Sequence, residues 1–364
     1  MTDAERLAHD RRPRAAGGRV GAVRALAAGM ALCAIAAVAP ASAAAARAEL
    51  DHCLGDRMPL VIDQQMPYAQ VAVAGRRGHF VLDFGATVSS LRPAGFGPPG
   101  APTPQPGTSD RYDGFEFFGP WGSVQLPVQT AAPRTARVRQ AGILGTDFLA
   151  AHVFTLDYRQ GVLWRARRGA FCSDAELSRA GLRRLPSEGY YAETPARLSC
   201  PAAGGPPRCV NVPTVPLRIG PLRTVAQLDT GYDDGRQPYS INVNPALLDA
   251  LRRAGVGLVA RPDIRLQLST CVPGVGETVE AWQVRPGTPV GLEDDRGELI
   301  RVPRGRAVTL FVKRTPPAAA ACGGIGTWPQ PAAQLGASFL AGSLLAVDPF
   351  SSRVWMRPGD GRGR

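Results

Sequence analysis

The chain has 364 residues, 45% of them hydrophobic, and a formal net charge of +12, which is enough for one large or two medium domains with real cores. Its 42 glycines and 34 prolines argue against a helical protein and for short strands with many turns. Nearly all the positive charge is arginine, with Lys313 the one lysine; there is no run of five basic residues and no helix-turn-helix, zinc-finger or RNA-binding signature, so nucleic acid is not an expected partner.

In chain order, the first predicted element is a targeting segment. Arg11, Arg12, Arg14, Arg19 and Arg24 precede an apolar stretch from Ala25 to Pro40, followed by the small-x-small sequence Ala41-Ser42-Ala43. Residues 1–43 therefore read as a signal peptide, which makes the protein exported, periplasmic or secreted. The alternative is an uncleaved anchor, since an alanine-rich stretch of this length can span a bilayer; no other membrane contact is expected. The leader holds six Arg against Asp3, Glu5 and Asp10, so its removal takes +3 from +12 and leaves the mature chain near +9. Six cysteines remain, and an even number in an oxidising destination favours disulfides over metal binding. Fifteen pairings are possible; Cys53–Cys172, Cys200–Cys209 and Cys271–Cys322 are the expected ones.

Ala69 to Ala74 and His79 to Asp83 read as two strands joined by a turn at Gly75 to Gly78. The second strand delivers Asp83, and Gly85 follows where the chain must turn sharply. A Pro/Gly-rich loop (Gly95 to Gly107) comes next. Then Tyr112 to Val128, dense in aromatic residues and glycine, predicts a hairpin, with Tyr112, Phe115 and Trp121 either in a flap or in the core. Residues 169–210 lose apolar periodicity and read as a connection. Val215 to Ile219 and Val225 to Asp229 then repeat the strand–turn–strand pattern. Pro245 to Ala254 is the best helix, with Pro at its start and Leu247, Leu248 and Leu251 on one face.

These elements occur twice. Tyr68 to Asp83 aligns without a gap on Thr214 to Asp229, sixteen residues, and each copy ends in an Asp-x-Gly turn. Leu144 to Arg165 aligns without a gap on Leu335 to Met356, twenty-two residues, with Asp157/Asp348 and Trp164/Trp355 in step. Two copies of one half imply two similar lobes, and one Asp from each implies a carboxylate pair at a pseudo-twofold axis. Asp157 and Asp348, each after an apolar strand, read as turn-formers.

With both Asp turns and both Leu-Gly-x-x-Phe-Leu segments, the chain resembles the aspartic protease family, as a retropepsin-like half duplicated into a bilobal, pepsin-like chain. The segments carrying the resemblance are Asp83-Phe84-Gly85 with Ile143-Leu144-Gly145, and Asp229-Thr230-Gly231 with Gln334-Leu335-Gly336. The resemblance implies an all-β fold of two similar lobes with a cleft between them: an N-terminal lobe at 44–168, a connection at 169–210 and a C-terminal lobe at 211–364. It also implies an endopeptidase in which Asp83 and Asp229 activate water on a peptide or protein substrate. Gly85, Thr230, Gly231 and Tyr112 would shape the turns or bind substrate. No cofactor and no metal is expected, and joined halves imply a monomer.

Three positions depart from the family pattern. Phe84 replaces the hydroxyl residue that bonds across to the other lobe, Tyr232 stands where a small residue is usual, and Gln334 stands where a hydrophobic one is expected. Asp233 and Asp234 would raise the pKa of Asp229 if they lie close. The alternative is therefore a catalytically degenerate relative that binds peptide or another extended ligand; a third reading is an envelope-associated structural protein. Rival chemistries lack residues. The mature chain has only His52, His79 and His152, none in a His-Glu-x-x-His arrangement, no Cys-x-x-Cys spacing, and no Gly-x-Ser-x-Gly elbow. His79 reads as an ordinary strand residue.

Overall fold

The computed structural model describes residues 50–129, 135, 137–187, 212–234, 237, 239–270, 272, 274–303, 305–322 and 324–359. The predicted signal peptide, most of the 169–210 connection, and Cys200, Cys209 and Cys271 lie outside the described residues. The first lobe carries β1 (Asp56–Asp63), β2 (Met66–Val73), β3 (Arg76–Leu82), β4 (Ser90–Leu91), β5 (Arg111–Glu116), β6 (Pro120–Gln125), β7 (Gln140–Leu144), α1 (Thr146–Leu149), β8 (Val153–Asp157) and β9 (Val162–Ala166). Helix α2 (Asp174–Arg179) and β10 (Arg183–Pro186) follow inside the predicted connection, α2 opened by a capping box in which Ser173 and Glu176 satisfy each other's backbone N–H.

The second lobe has β11 (Thr214–Ile219), β12 (Leu222–Leu228), β13 (Ser240–Val243), α3 (Pro245–Arg253), β14 (Leu258–Ala260), β15 (Leu266–Ser269), β16 (Gly276–Val284), β17 (Val290–Glu293), β18 (Leu299–Arg301), β19 (Val308–Val312), β20 (Ala332–Leu335), β21 (Leu344–Asp348) and β22 (Arg353–Arg357). Helix α3 matches the expectation in detail. Asn244 accepts from the N–H of Leu247 as N-cap, Pro245 takes the first turn, and Leu247, Leu248 and Leu251 are buried.

The sequence repeat reappears as a repeat of element ends. Val73 and Ile219 close equivalent strands, Arg76 and Leu222 open the next, and Leu82 and Leu228 end them. Downstream, β8 and β9 match β21 and β22 residue for residue. In each lobe a strand lies between one parallel and one antiparallel neighbour: β7 between β3 and β4, β20 between β12 and β13. The registers agree, Leu82 opposite Leu144 and Leu228 opposite Leu335.

The first hairpin turns at Ala74-Gly75, not over Gly75 to Gly78 as expected. Both residues have positive φ (46° and 73°), the pair of left-handed positions that a two-residue hairpin turn with the right twist needs. Gly78 sits within β3, where a Cβ would fall 2.9 Å from the Phe96 ring, so its role is close packing.

Twelve strands form one sheet and ten the other. The larger runs β10-β22-β21-β8-β9-β1-β2-β3-β7-β4, with β5 and β6 attached to β2. Within it, β21 pairs with β8, so the last strands of the second lobe complete a sheet begun by the first. A single buried cluster contains Leu82, Phe84 and Leu144 from one lobe and Leu228, Leu335 and Leu345 from the other. This is a two-lobed, all-β fold built on two large sheets.

Cys53 and Cys172 form a disulfide, the first of the three expected pairs. It sits in a second cluster with Leu50, Leu54, Trp164, Leu177 and Trp355, fixing the start of the lobe to the segment that leaves it. Asp157 and Asp348 accept backbone N–H bonds from the turns that follow them, as expected of turn-formers. His79 lies in β3 opposite Gln70.

Candidate active site

Each lobe brings its aspartate to the end of an apolar strand and holds it there from behind. The N–H of Asp83 donates to the carbonyl of Leu144 at 2.9 Å, and the N–H of Asp229 donates to that of Leu335 at 2.9 Å. One turn further on, Thr146 N–H donates to Ala86 O at 2.9 Å and Ala337 N–H to Tyr232 O at 2.7 Å. Within each turn the aspartate accepts from the glycine two residues on: Gly85 N–H to Asp83 Oδ1 at 2.7 Å, Gly231 N–H to Asp229 Oδ1 at 3.0 Å.

The two turns meet. A Cβ on Gly85 would lie 2.6 Å from both carboxylate oxygens of Asp229, and a Cβ on Gly231 would collide with the Asp83 carboxyl group. Each carboxyl thus lies against the glycine of the opposite turn, and any side chain at either glycine would displace it. Asp229 is 7% exposed, while Asp83 is half-buried.

Thr230 locks the turns together. Its Oγ1 accepts from the N–H of Phe84 at 3.0 Å and donates to the carbonyl of Leu82 at 2.5 Å, both in the other lobe. Phe84 returns no hydroxyl bond, as expected; its ring is 1% exposed within the main core. The lock is one-sided, and packing occupies the other side.

Electrostatics follow from burial and proximity. Burial raises Asp83 above the usual carboxylate value of 3.8, opposed by hydrogen bonds from Asp229, Gly85 and Ala86 and by the charge of Arg92. Asp229 is raised well above 3.8, by burial first and then by the charge and hydrogen bond of Asp83, with Lys313 and the Gly231 N–H opposing. Burial and Asp83, not Asp233 and Asp234, lead this shift. Those two acids act on Tyr232, whose hydroxyl is pushed up mainly by burial. Tyr158, at the end of β8, is 5% exposed and is raised by burial and then by both aspartates.

Tyr232 does not crowd its turn. Its ring lies over Gly336, where a Cβ would come within 2.7 Å of it, so the glycine makes room for the larger residue. Gln334 has a role its residue type at an apolar position only hints at: Nε2 donates to Asp229 Oδ2 at 2.5 Å, and Oε1 accepts from Asn242 Nδ2 at 3.0 Å. Asn242 and Tyr158 carried no sequence signal. Each is a polar residue in an ordinary-looking strand or turn, and only cross-strand register and sheet order bring them to the site.

Tyr112 is 2% exposed and belongs to the core cluster, a correction to its place among the substrate-binding candidates. Phe115 is fully buried, 4.8 Å from Phe148 between ring centres, and Trp121 packs 5.0 Å from Phe148 while donating to Phe117 O. The aromatic residues of the β5–β6 hairpin face inward because the hairpin closes over β2 and α1. Elsewhere, His52, Cys53 and Glu176 cluster closely, but the Cys53 sulfur is committed to the disulfide and His52 to a 3.0 Å bond with Glu176.

No family model matches the chain, and no curated protein does. Among solved structures the chain is similar to the crystal structure of basic 7S globulin from soybean, at 12% identity and a TM-score of 0.41, over 85% of this chain and 96% of that one. A likeness this distant leaves function to the geometry of the site itself.

Proposed function

We propose that the chain is an exported aspartic endopeptidase that hydrolyses peptide bonds with water activated by Asp83 and Asp229. The observation that carries this is the crossed arrangement of the turns, each carboxyl seated on the other lobe's glycine. Two carboxyls so close cannot both ionise cheaply, so one keeps a proton; aspartic proteases are the standing example of this effect. The ionised member takes a proton from water as the water oxygen attacks the peptide carbonyl carbon, and the protonated member gives its proton to the carbonyl oxygen. The resulting diol collapses as the amine nitrogen is protonated and the C–N bond breaks. Asp83 and Asp229 are the catalytic residues, and Gly85, Thr230 and Gly231 hold their turns. Each lobe supplies one aspartate, so a monomer suffices. A disulfide at Cys53–Cys172 supports export to an oxidising compartment, and among the described residues no helix is long and apolar enough to cross a membrane.

A second reading, a non-catalytic peptide binder on the same scaffold, draws on the one-sided lock at Phe84. Incubation of the purified protein with a mixed peptide library between roughly pH 3 and 7 separates the two. The proposal expects cleavage that a statine-type transition-state mimic blocks and that Asp229→Ala abolishes. A folded wild-type chain that binds peptides and cleaves none would establish the binder.

A further inference from the structure

Behind the aspartates, the facing residues one step before each Leu-Gly segment differ between the lobes. In the first lobe Ser90 on β4 faces Ile143 on β7; in the second, Asn242 on β13 faces Gln334 on β20. Asn242 is 1% exposed and Gln334 8%. The Asn242 Nδ2 bond to Gln334 Oε1 fixes the rotation of the glutamine amide, which aims its Nε2 at Asp229 Oδ2. With Gly231 N–H on Oδ1, both oxygens of Asp229 accept an N–H. Asp83 accepts from the backbone of Gly85 and Ala86 within its own turn, and the residue at its equivalent of Gln334 is Ile143, whose side chain has nothing to donate.

We propose that Gln334, oriented by Asn242, is a positioning residue that fixes the Asp229 carboxyl and favours its charged form within the pair. This rests on the reading of the two aspartates as the reacting pair. An N–H donated to a carboxylate favours the charged form, and in a buried site such a bond is stronger than in water. It works against the burial and the facing charge that raise Asp229. The other groups facing Asp229 are Asp83 across the axis, Lys313 just after β19, Tyr232 from its own turn and Tyr158 from the end of β8.

The test uses the intact chain with Asp83→Asn, which leaves Asp229 as the single carboxyl of the pair, followed by NMR of isotope-labelled aspartate carboxyls. Adding Gln334→Ile and Asn242→Ser copies the Ile143 and Ser90 of the first lobe, a combination the same strand pairing already accommodates. The proposal expects Asp229 to bind its proton about tenfold more tightly in the copied background, the equivalent of ~1.4 kcal/mol. Asn242→Ser alone should produce a smaller change of the same sign, because the amide is present but no longer held. An unchanged proton affinity in the copied background overturns the proposal. The readout needs no catalysis, so a chain that cleaves nothing can still pass it, and cleavage with an unshifted titration would remove the role of Gln334 while leaving the reaction standing.

Discussion

Asp229 is buried and raised, and Asp83 shares its condition, so the site destabilises the fold that contains it whenever it must ionise. The sign follows from proton linkage. Above about pH 3.8 the unfolded chain releases the Asp229 proton while the native chain still holds it, so stability falls with rising pH until the native group ionises in turn. Asp229→Asn removes that linkage. Urea unfolding should find the variant more stable than wild type at pH 7, with the gap closing as pH drops below about 3.8; equal stability at every pH would mean Asp229 has an ordinary carboxyl. A larger core elsewhere tolerates this cost, because Leu82, Leu144, Leu228 and Leu335 pack directly behind the two turns.

At the scale of elements, the aspartate turns show a conflict between locking and packing. Phe84 stands where a hydroxyl would complete the lock with Thr230, yet its ring is buried in the shared core. Phe84→Thr would add one hydrogen bond, a net gain of about 1 kcal/mol, and lose a buried aromatic ring, a loss of about 3–5 kcal/mol. Thermal or chemical unfolding should show a net destabilisation of roughly 2–4 kcal/mol. A stabilised variant would mean the turn, not the core, governs this position. Much of this level was legible beforehand. The gap-free repeats placed both aspartates and both supporting strands, since an alignment that keeps apolar alternation also keeps hydrogen-bond register. The Ala74-Gly75 turn was not legible, because Gly78 offers the same residue type for a packing reason. Nor was the inward face of the β5–β6 hairpin, since aromatic residues at strand spacing fit a flap and a core equally well. The bond from Gln334 depends on which strand lies beside which, and residue type alone marks only that a polar group sits in an apolar place.

At the scale of the whole molecule, the lobes are not two independent domains set side by side. Strand β21 of the second lobe pairs with β8 of the first, and β22 carries β10 at the sheet edge, so the chain's last strands finish a sheet beneath the site. The Cys53–Cys172 disulfide ties the beginning of that sheet to the chain entering α2. The sequence repeat disclosed two lobes, but a shared sheet arises from pairing between copies, which no comparison of one copy with the other can reveal. Its consequence for the site is that the strands behind both turns belong to one connected framework, on which the seating of each carboxyl against the opposite glycine depends. The most direct test of the whole account is therefore an NMR titration of the Asp83 and Asp229 carboxyls in the wild-type chain. One proton retained by the pair well above pH 3.8, lost in a second step distinct from the first, is the predicted result. Two carboxyls titrating independently, both near 3.8, would contradict it.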